Sequence, residues 1–403
     1  MLYSNNEQRI TNNDVVIAGG GLAGLSQALA LSFHGIPSLL IEKSTHSLHQ
    51  QPGYDGRTSF VTLGNHLLYQ QWGAWERMAT YAEPVKDIRI LDGDSPLFLH
   101  YDHRDTGTQA MGYIIENTHF RRALIEAVQA QPLITVRENT IVEKATPDSH
   151  YIHLQLPASE TLKAKLLIVA DGKNSALRDA AGINTRRQDY RQTAIICAVS
   201  HPKHHESVAI ERFLPAGPFA ILPMPGGHHS SLVWTERADL AENYLALDDA
   251  DFTAAITARF GSYLGPLTLA SPRWKYPLDL TYATRLYADR LALIGDSAHA
   301  IHPIAGQGFN LSMKDIAALA DLIAAQKSVG LDIGTDDVLA AYARQRTLDN
   351  LQMIAATDGL NRLFSNNLTT ARIVRRIGLG LVEKLPGVKK RFMRHAMAVT
   401  KTA

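Results

Sequence analysis

The chain has 403 residues, 45% hydrophobic and 20% charged, and its 40 Lys plus Arg balance 39 Asp plus Glu for a formal net charge of +1. That length allows two packed lobes, and the near-neutral balance gives no basic field for a nucleic-acid partner. The single cysteine, Cys197, excludes a disulfide framework and points to a reducing, cytoplasmic setting.

Residues 1–13 are polar and lack the basic start and apolar run of a signal peptide. Asp14–Ala18 reads as a short buried strand. Val15–Phe33 is apolar enough to suggest a membrane span, yet Gly19, Gly20, Gly21 and Gly24 interrupt it. Strand, turn and a helix over Leu22–His34 fit better. Gly35-Ile36-Pro37 breaks that helix, and Ser38–Glu42 is the next strand. A helix is expected over Leu63–Met78, with Trp72 and Trp75 in its core, then strands near Asp87–Leu91 and Met111–Glu116. Asn117 can cap a helix running to Gln131. Leu133–Lys144 and Tyr151–Leu156 alternate like antiparallel strands, and apolar Lys165–Ala170 ends in Asp171-Gly172.

The texture changes over residues 188–285. Strands are expected at Ala194–Ser200, Val208–Phe213, Pro218–Pro223, Ser230–Thr235 and Trp274–Leu280, with one clear helix, Asp248–Phe260. This is the pattern of a mostly antiparallel lobe inserted into the first domain. Cys197 reads as a small buried filler. His201, His204, His205, His228 and His229 read as a solvated surface, because no cysteine or carboxylate cluster completes a ligand set; no metal site is expected. Leu291–Ile294 returns to a buried strand, and long helices follow at Phe309–Gln326 and Asp336–Leu363. Residues 372–403 carry nine Lys/Arg against one acid, Glu383. A basic amphipathic helix there can lie on an anionic bilayer or dock on its own protein, and both readings stay open.

Two runs carry chemistry. Gly19-x-Gly21-x-x-Gly24 follows a strand and opens a helix: the first glycine allows the turn, the second lets backbone approach a pyrophosphate, the third lets helix and strand pack. The phosphates then meet the helix N-terminus at Leu22 and Ala23. Glu42, 18 residues after Gly24 at the end of the second strand, is placed to accept from ribose hydroxyls. This motif does not separate FAD from NAD. The run Gly295–Asn310 does, since it supplies a second grip far along the chain. Asp296 ends a strand where it can accept from ribityl hydroxyls. Gly306 and Gly308 let backbone N–H groups crowd a flavin's pyrimidine edge, and the helix beginning around Phe309 and Asn310 brings a positive dipole end to reduced flavin.

With these stand Ala170-Asp171-Gly172 followed by Ser175 and Arg178, Asp55-x-Arg57, Glu116-Asn117 with Arg121, Tyr342 with Arg346 and Asp349-Asn350, Thr357-Asp358-Gly359-Leu360, and Leu385-Pro386-Gly387. Together they resemble the ubiquinone-biosynthesis hydroxylases among the group A FAD-dependent aromatic monooxygenases, which share the para-hydroxybenzoate hydroxylase fold. Ser312-Met313-Lys314 departs from that family's glycine-then-arginine pattern.

The resemblance implies an α/β (α+β) protein: a Rossmann-like FAD-binding domain with an inserted, mostly antiparallel substrate sheet and C-terminal helices. The boundaries would be 1–187 for the first FAD-binding part, with substrate-lobe strands interleaved around 80–115, then 188–285 for the substrate lobe, 286–365 for the second FAD-binding part, and 366–403 for the basic tail. It implies that Arg57 and Arg121 lie along the FAD and that Asp171-Gly172 serves FAD and, transiently, NADH or NADPH. It implies that Pro303, Gly306 and Gln307 shape the flavin's reactive face, while His302 is structural. No general base is assigned.

The implied reaction is hydroxylation of a polyprenylated phenol by O2 through a flavin C4a-hydroperoxide. A contact with the inner membrane face, a ubiquinone-biosynthesis complex and a homo-oligomer are the associations that fit. The alternatives are a hydroxylase of a soluble aromatic compound, and a flavoprotein scaffold without turnover.

Overall fold

A computed structural model describes residues 12–45, 56–93, 95, 98–302, 304–364 and 385–398. Apolar runs pair into a parallel sheet in the order Leu291–Leu293, Thr161–Val169, Asn12–Ala18, Ser38–Ile41, Ile134–Arg137. Val16 pairs with Leu167 on one side and Leu39 on the other. Helices cover this sheet, so residues 15–18, 38–41 and 166–169 are buried at every position rather than alternately. The alternation over Leu133–Lys144 predicts an antiparallel strand, and the strand found there, Ile134–Arg137, is parallel. It lies at the sheet's edge, where one face is wet, and it runs parallel to Ser38–Ile41. The helix Leu22–Phe33 packs on the later helix Gln307–Ser328.

A second, larger sheet has the order His299–Ala300, Trp274–Ala283, Thr185–Ser200, His229–Arg237, Gly217–Met224, Val208–Leu214, Asp87–Asp92, Phe98–Asp102. All neighbours are antiparallel except Val208–Leu214 beside Asp87–Asp92. One face packs Ile195, Cys197, Ile210 and Trp234 against the helices Ala238–Leu245 and Asp249–Phe260. Only the second of those helices was expected. The first spans only eight residues, about two turns, so its apolar spacing at Ala241, Tyr244 and Leu245 is too brief to stand out in the sequence. Cys197 is buried in its strand, and burial pushes its thiol up to about 12.

A three-stranded sheet of Thr58–Thr62, Gly112–Glu116 and Ala82–Val85 joins the two larger ones. The expected helix Leu63–Met78 is two, Leu63–Gln71 and Trp75–Met78, separated at Gly73 with φ +69°. Trp72 and Trp75 are buried as expected. Asn117 is inside its helix rather than capping it: the cap position is Glu116, and the Asn117 Oδ1 accepts from Ser59 Oγ at 2.7 Å. The C-terminal helix Pro386–Ala396 is docked by buried Met393 and Met397, which meet Leu99, Tyr101 and Met111. Gly64 donates its N–H to the Met397 carbonyl at 2.9 Å.

Candidate active site

Asn12–Ala18 ends at Gly19, whose φ of +111° is open to glycine. A Cβ on Gly19 would lie 2.3 Å from the Ala170 oxygen, and one on Gly24 would lie 1.8 Å from the Gly19 oxygen. Turn, helix and the Ala170-Asp171 strand end therefore meet backbone to backbone. Gly21 differs, because among the described residues nothing stands within 4 Å of its Cβ position. It is the N-cap of the helix, and no side chain caps it. The first N–H groups and the positive dipole end thus face open space, with Leu22 and Ala23 packed on the core behind them. Buried Glu42 accepts the Gly20 N–H at 2.5 Å on Oε2 and the Ser44 N–H at 2.9 Å on Oε1. It braces the turn, and a ribose contact would use its remaining lone pairs.

The late loop is locked to the same strands. Gly295 (φ +66°) would place a Cβ 2.8 Å from the Ala23 Cβ. The Ser297 hydroxyl is 2.8 Å from the Val169 oxygen and 2.7 Å from the Ile294 oxygen. Fully buried Arg178 donates Nη1 to the Lys173 oxygen at 2.9 Å and the Ser297 oxygen at 3.2 Å, tying the loop after Asp171-Gly172 to the Asp296 turn. The Asp171 and Asp296 side chains are both open to solvent, yet desolvation raises both carboxyls. At Asp296 it outweighs the opposing pull of His299, Arg57 and Lys173. Carboxyls that are accessible but deep line a cleft. Arg57 lies close enough to act on Asp296, and its guanidinium is 5.3 Å from the Tyr276 ring centroid. Arg121 follows Phe120, whose ring meets Phe309 edge-on at 5.3 Å.

Gly306 (φ +62°) opens the helix Gln307–Ser328, and a Cβ on it would press within 3.0 Å of the Phe60 Cβ. At Gly308 a Cβ would make only ordinary contact, 3.7 Å from Ile301, so sterics do not demand glycine there. Gln307 is half-buried at the helix start. Asn310 stands in the first turn of this helix, and its side-chain amide is held by the protein itself. Nδ2 donates to the Phe60 and Gly306 oxygens, both at 2.8 Å, and Oδ1 accepts from Asn65 Nδ2 at 2.7 Å and Thr62 N at 3.3 Å. Asn310 braces the loop. Pro303 lies outside the described residues.

Behind the loop, His299 Nε2 meets Asp315 Oδ2 at 2.5 Å, and Arg346 Nε donates to Asp315 Oδ1 at 2.7 Å. His302 is 1% exposed, neither ring nitrogen has a hydrogen-bond partner among the described residues, and burial lowers it to about 4. His201 and His205, expected at a solvated surface, are buried: His201 is bonded to the Lys203 oxygen and Ser230 Oγ, and His205 to the Met224 oxygen. Among the described residues, the three potential metal ligands that converge are instead Asp87, Asp102 and His103, and Arg104 already forks Asp102.

The face of the large sheet opposite its helices completes the site. Ala209 packs with Phe60, Ile114 and Leu222, and Phe213 packs with Ile304 and Ile90. Strand alternation places Glu211 between them on that face. Its register partners are Ala220 and Ile90, with no slip along the strand. Sequence reasoning missed Glu211. Its one signal is an acid in step with Ala209 and Phe213 inside Val208–Leu214, and which face is the inner one depends on partners far along the chain.

These features fit FAD: a cradle that side chains would fill, an uncapped helix start, and a second carboxylate-bearing turn fixed to the first. The FAD binding domain family matches residues 12–357. Ubiquinone hydroxylase UbiL of Rhodospirillum rubrum is 42% identical over 96% of this chain and 90% of its own length. The 3-demethoxyubiquinol 3-hydroxylase of Escherichia coli is 31% identical over 96% and 98%. In fold, the chain is similar to p-nitrophenol 4-monooxygenase PnpA of Pseudomonas putida, with a TM-score of 0.79 and 19% identity over 98% of this chain and 100% of that one.

Proposed function

We infer the function from one premise: the chain belongs to the FAD binding domain family and, within it, to the ubiquinone hydroxylases. It is an FAD-dependent monooxygenase, with NAD(P)H as reductant and O2 as co-substrate. Its substrate is the aromatic ring of a polyprenylated phenol in ubiquinone biosynthesis. The observation that carries this reading is that two glycine turns are locked to each other through Ala170, Ala23 and Arg178, while Gly306 of the late loop abuts Phe60 of the apolar patch on the large sheet.

Bound flavin would supply the reducing equivalents with which one atom of O2 enters an aromatic ring and the other leaves as water. The chain's own residues do the rest. The N–H groups after Gly21 bind pyrophosphate, and Glu42 and Asp296 accept from ribose and ribityl hydroxyls. Asp171-Gly172, Arg57 and Arg121 would hold the cofactor along its length. Asn310 fixes Gly306 against Phe60, so the loop presents a set surface to the ring. Apolar side chains from the large sheet exclude water that would otherwise divert the oxygen to hydrogen peroxide.

The test is NAD(P)H oxidation by the purified yellow protein with a prenylated phenol. Stimulated consumption coupled to one hydroxylated product is expected. Consumption that yields only hydrogen peroxide would overturn the substrate.

No helix among the described residues is long and apolar enough to cross a membrane. Peripheral contact is carried by Pro386–Ala396. Val388 and Phe392 are 42% and 51% exposed beside exposed Lys390, Arg391 and Arg394, while Met393 faces inward. That face matches an anionic bilayer. Val388→Ser with Phe392→Ser should weaken sedimentation with phosphatidylglycerol vesicles and leave thermal stability within about 0.5 kcal/mol. Unchanged sedimentation would remove the membrane contact.

A further inference from the structure

We propose that the Glu211 carboxylate takes the proton of the substrate's phenolic hydroxyl, making it the base that activates the ring. This deepens the reading of the apolar sheet face as a phenol site and rests on it.

The placement comes first. Glu211 lies between Ala209, which packs against Phe60, and Phe213, which packs against Ile304. Phe60 in turn presses on Gly306. The carboxyl is thus bracketed by Phe213, which meets the loop at Ile304, and by Ala209, which reaches it through Phe60.

Its surroundings come second. Ile90 and Ala220 flank it, Ile88 and Leu222 lie diagonal, and Phe60 and Ile304 close the far side. Asp92, beside Phe213, is the acid on the neighbouring strand. Among the described residues no hydrogen bond or ion pair engages Glu211, although it keeps some contact with open space. A lone carboxyl in an apolar chamber is a costly arrangement for the fold alone. A phenol with an apolar tail satisfies both parts, the chamber taking the tail and the acid taking the hydroxyl.

Burial pushes this carboxyl up to about 8. A base in that range sits within about two units of an ordinary phenol at ~10, close enough for efficient transfer near neutral pH. In the step, the phenol O–H bond breaks and a carboxyl O–H bond forms. The electron pair stays on the phenolate oxygen and raises density at the ring carbons ortho and para to it.

The probe is a nitrophenol bearing a short prenyl chain, bound to the FAD-loaded protein and followed by difference absorption against pH. In the native chain the bound dye should turn to yellow phenolate at a pH lower than in Glu211→Gln, by roughly one unit or more. Glu211→Asp should restore part of that shift. With a prenylated phenol substrate, Glu211→Gln should lose about 10²–10³ in kcat with KM within a few-fold. Flavin content equal to the native chain's checks that the variant is folded. Dye that binds both proteins with one ionisation curve would overturn the role of Glu211. Dye that binds neither would remove the chamber as a phenol site, and the proposal with it.

Discussion

Asp315 and Glu211 are both deep carboxyls, and the molecule treats them oppositely. Burial works to raise Asp315, but His299 and Arg346 overcome it and hold the group below the usual carboxylate range. Asn350 adds a donor at 3.2 Å, and Arg346 is itself tied to Asp349 at 2.8 Å. Glu211 meets burial with no such partners among the described residues and rises. A paired buried charge belongs to the scaffold. An unpaired one beside a cofactor cleft waits for a ligand.

The comparison breaks most sharply at Asp315. Asp315→Ala leaves the Arg346 guanidinium buried beside a lost partner, and thermal unfolding should show a loss of about 3–5 kcal/mol. A loss under 1 kcal/mol would mean that the network does not support the fold.

Glu211→Gln should do the reverse. A carboxyl raised in the folded state favours folding fully below its unfolded value and loses that contribution as pH climbs through about 8. The native chain should therefore weaken between about pH 4.5 and 8, and the variant should not. At pH 8.5 the variant gains about 2 kcal/mol, allowing for partial solvent contact. Equal denaturation midpoints across that range would show that Glu211 finds a partner.

His302 mirrors Glu211 on the acid side. It is lowered to about 4 by burial, so the folded state resists the proton that the unfolded chain accepts near 6.5. Stability should fall as pH drops from about 6.5 to 4, by about 2 kcal/mol at pH 5, and His302→Phe should abolish that slope. At pH 7.5 the two proteins should agree within about 1 kcal/mol. A native slope that persists in the variant would assign it to another group.

Local geometry was legible in the chain. Gly19, Gly21, Gly24 and Glu42 could be read because a turn, a helix start and a strand end leave their requirements in neighbouring residues. The features that escaped depend on partners distant in sequence. The Ile134–Arg137 strand reveals its direction only beside Ser38–Ile41. His201 and His205 are buried because Ser230 and the Met224 carbonyl receive them. Asn310 is spent on Phe60 and Asn65, some 245–250 residues earlier. Glu211 is the extreme case: its environment is assembled from two sheets and a loop, and no window of sequence contains it.

The seat of the C-terminal helix has a consequence for the range of ligands. Ile88 belongs to the patch around Ala209 and also to the patch under Met393 and Met397. One side of the apolar chamber is therefore backed by two unbranched thioethers, the most pliable of the apolar side chains. Chains of differing length can be accommodated there by rotamer changes alone, so selectivity should be strict at the ring and lax at the tail.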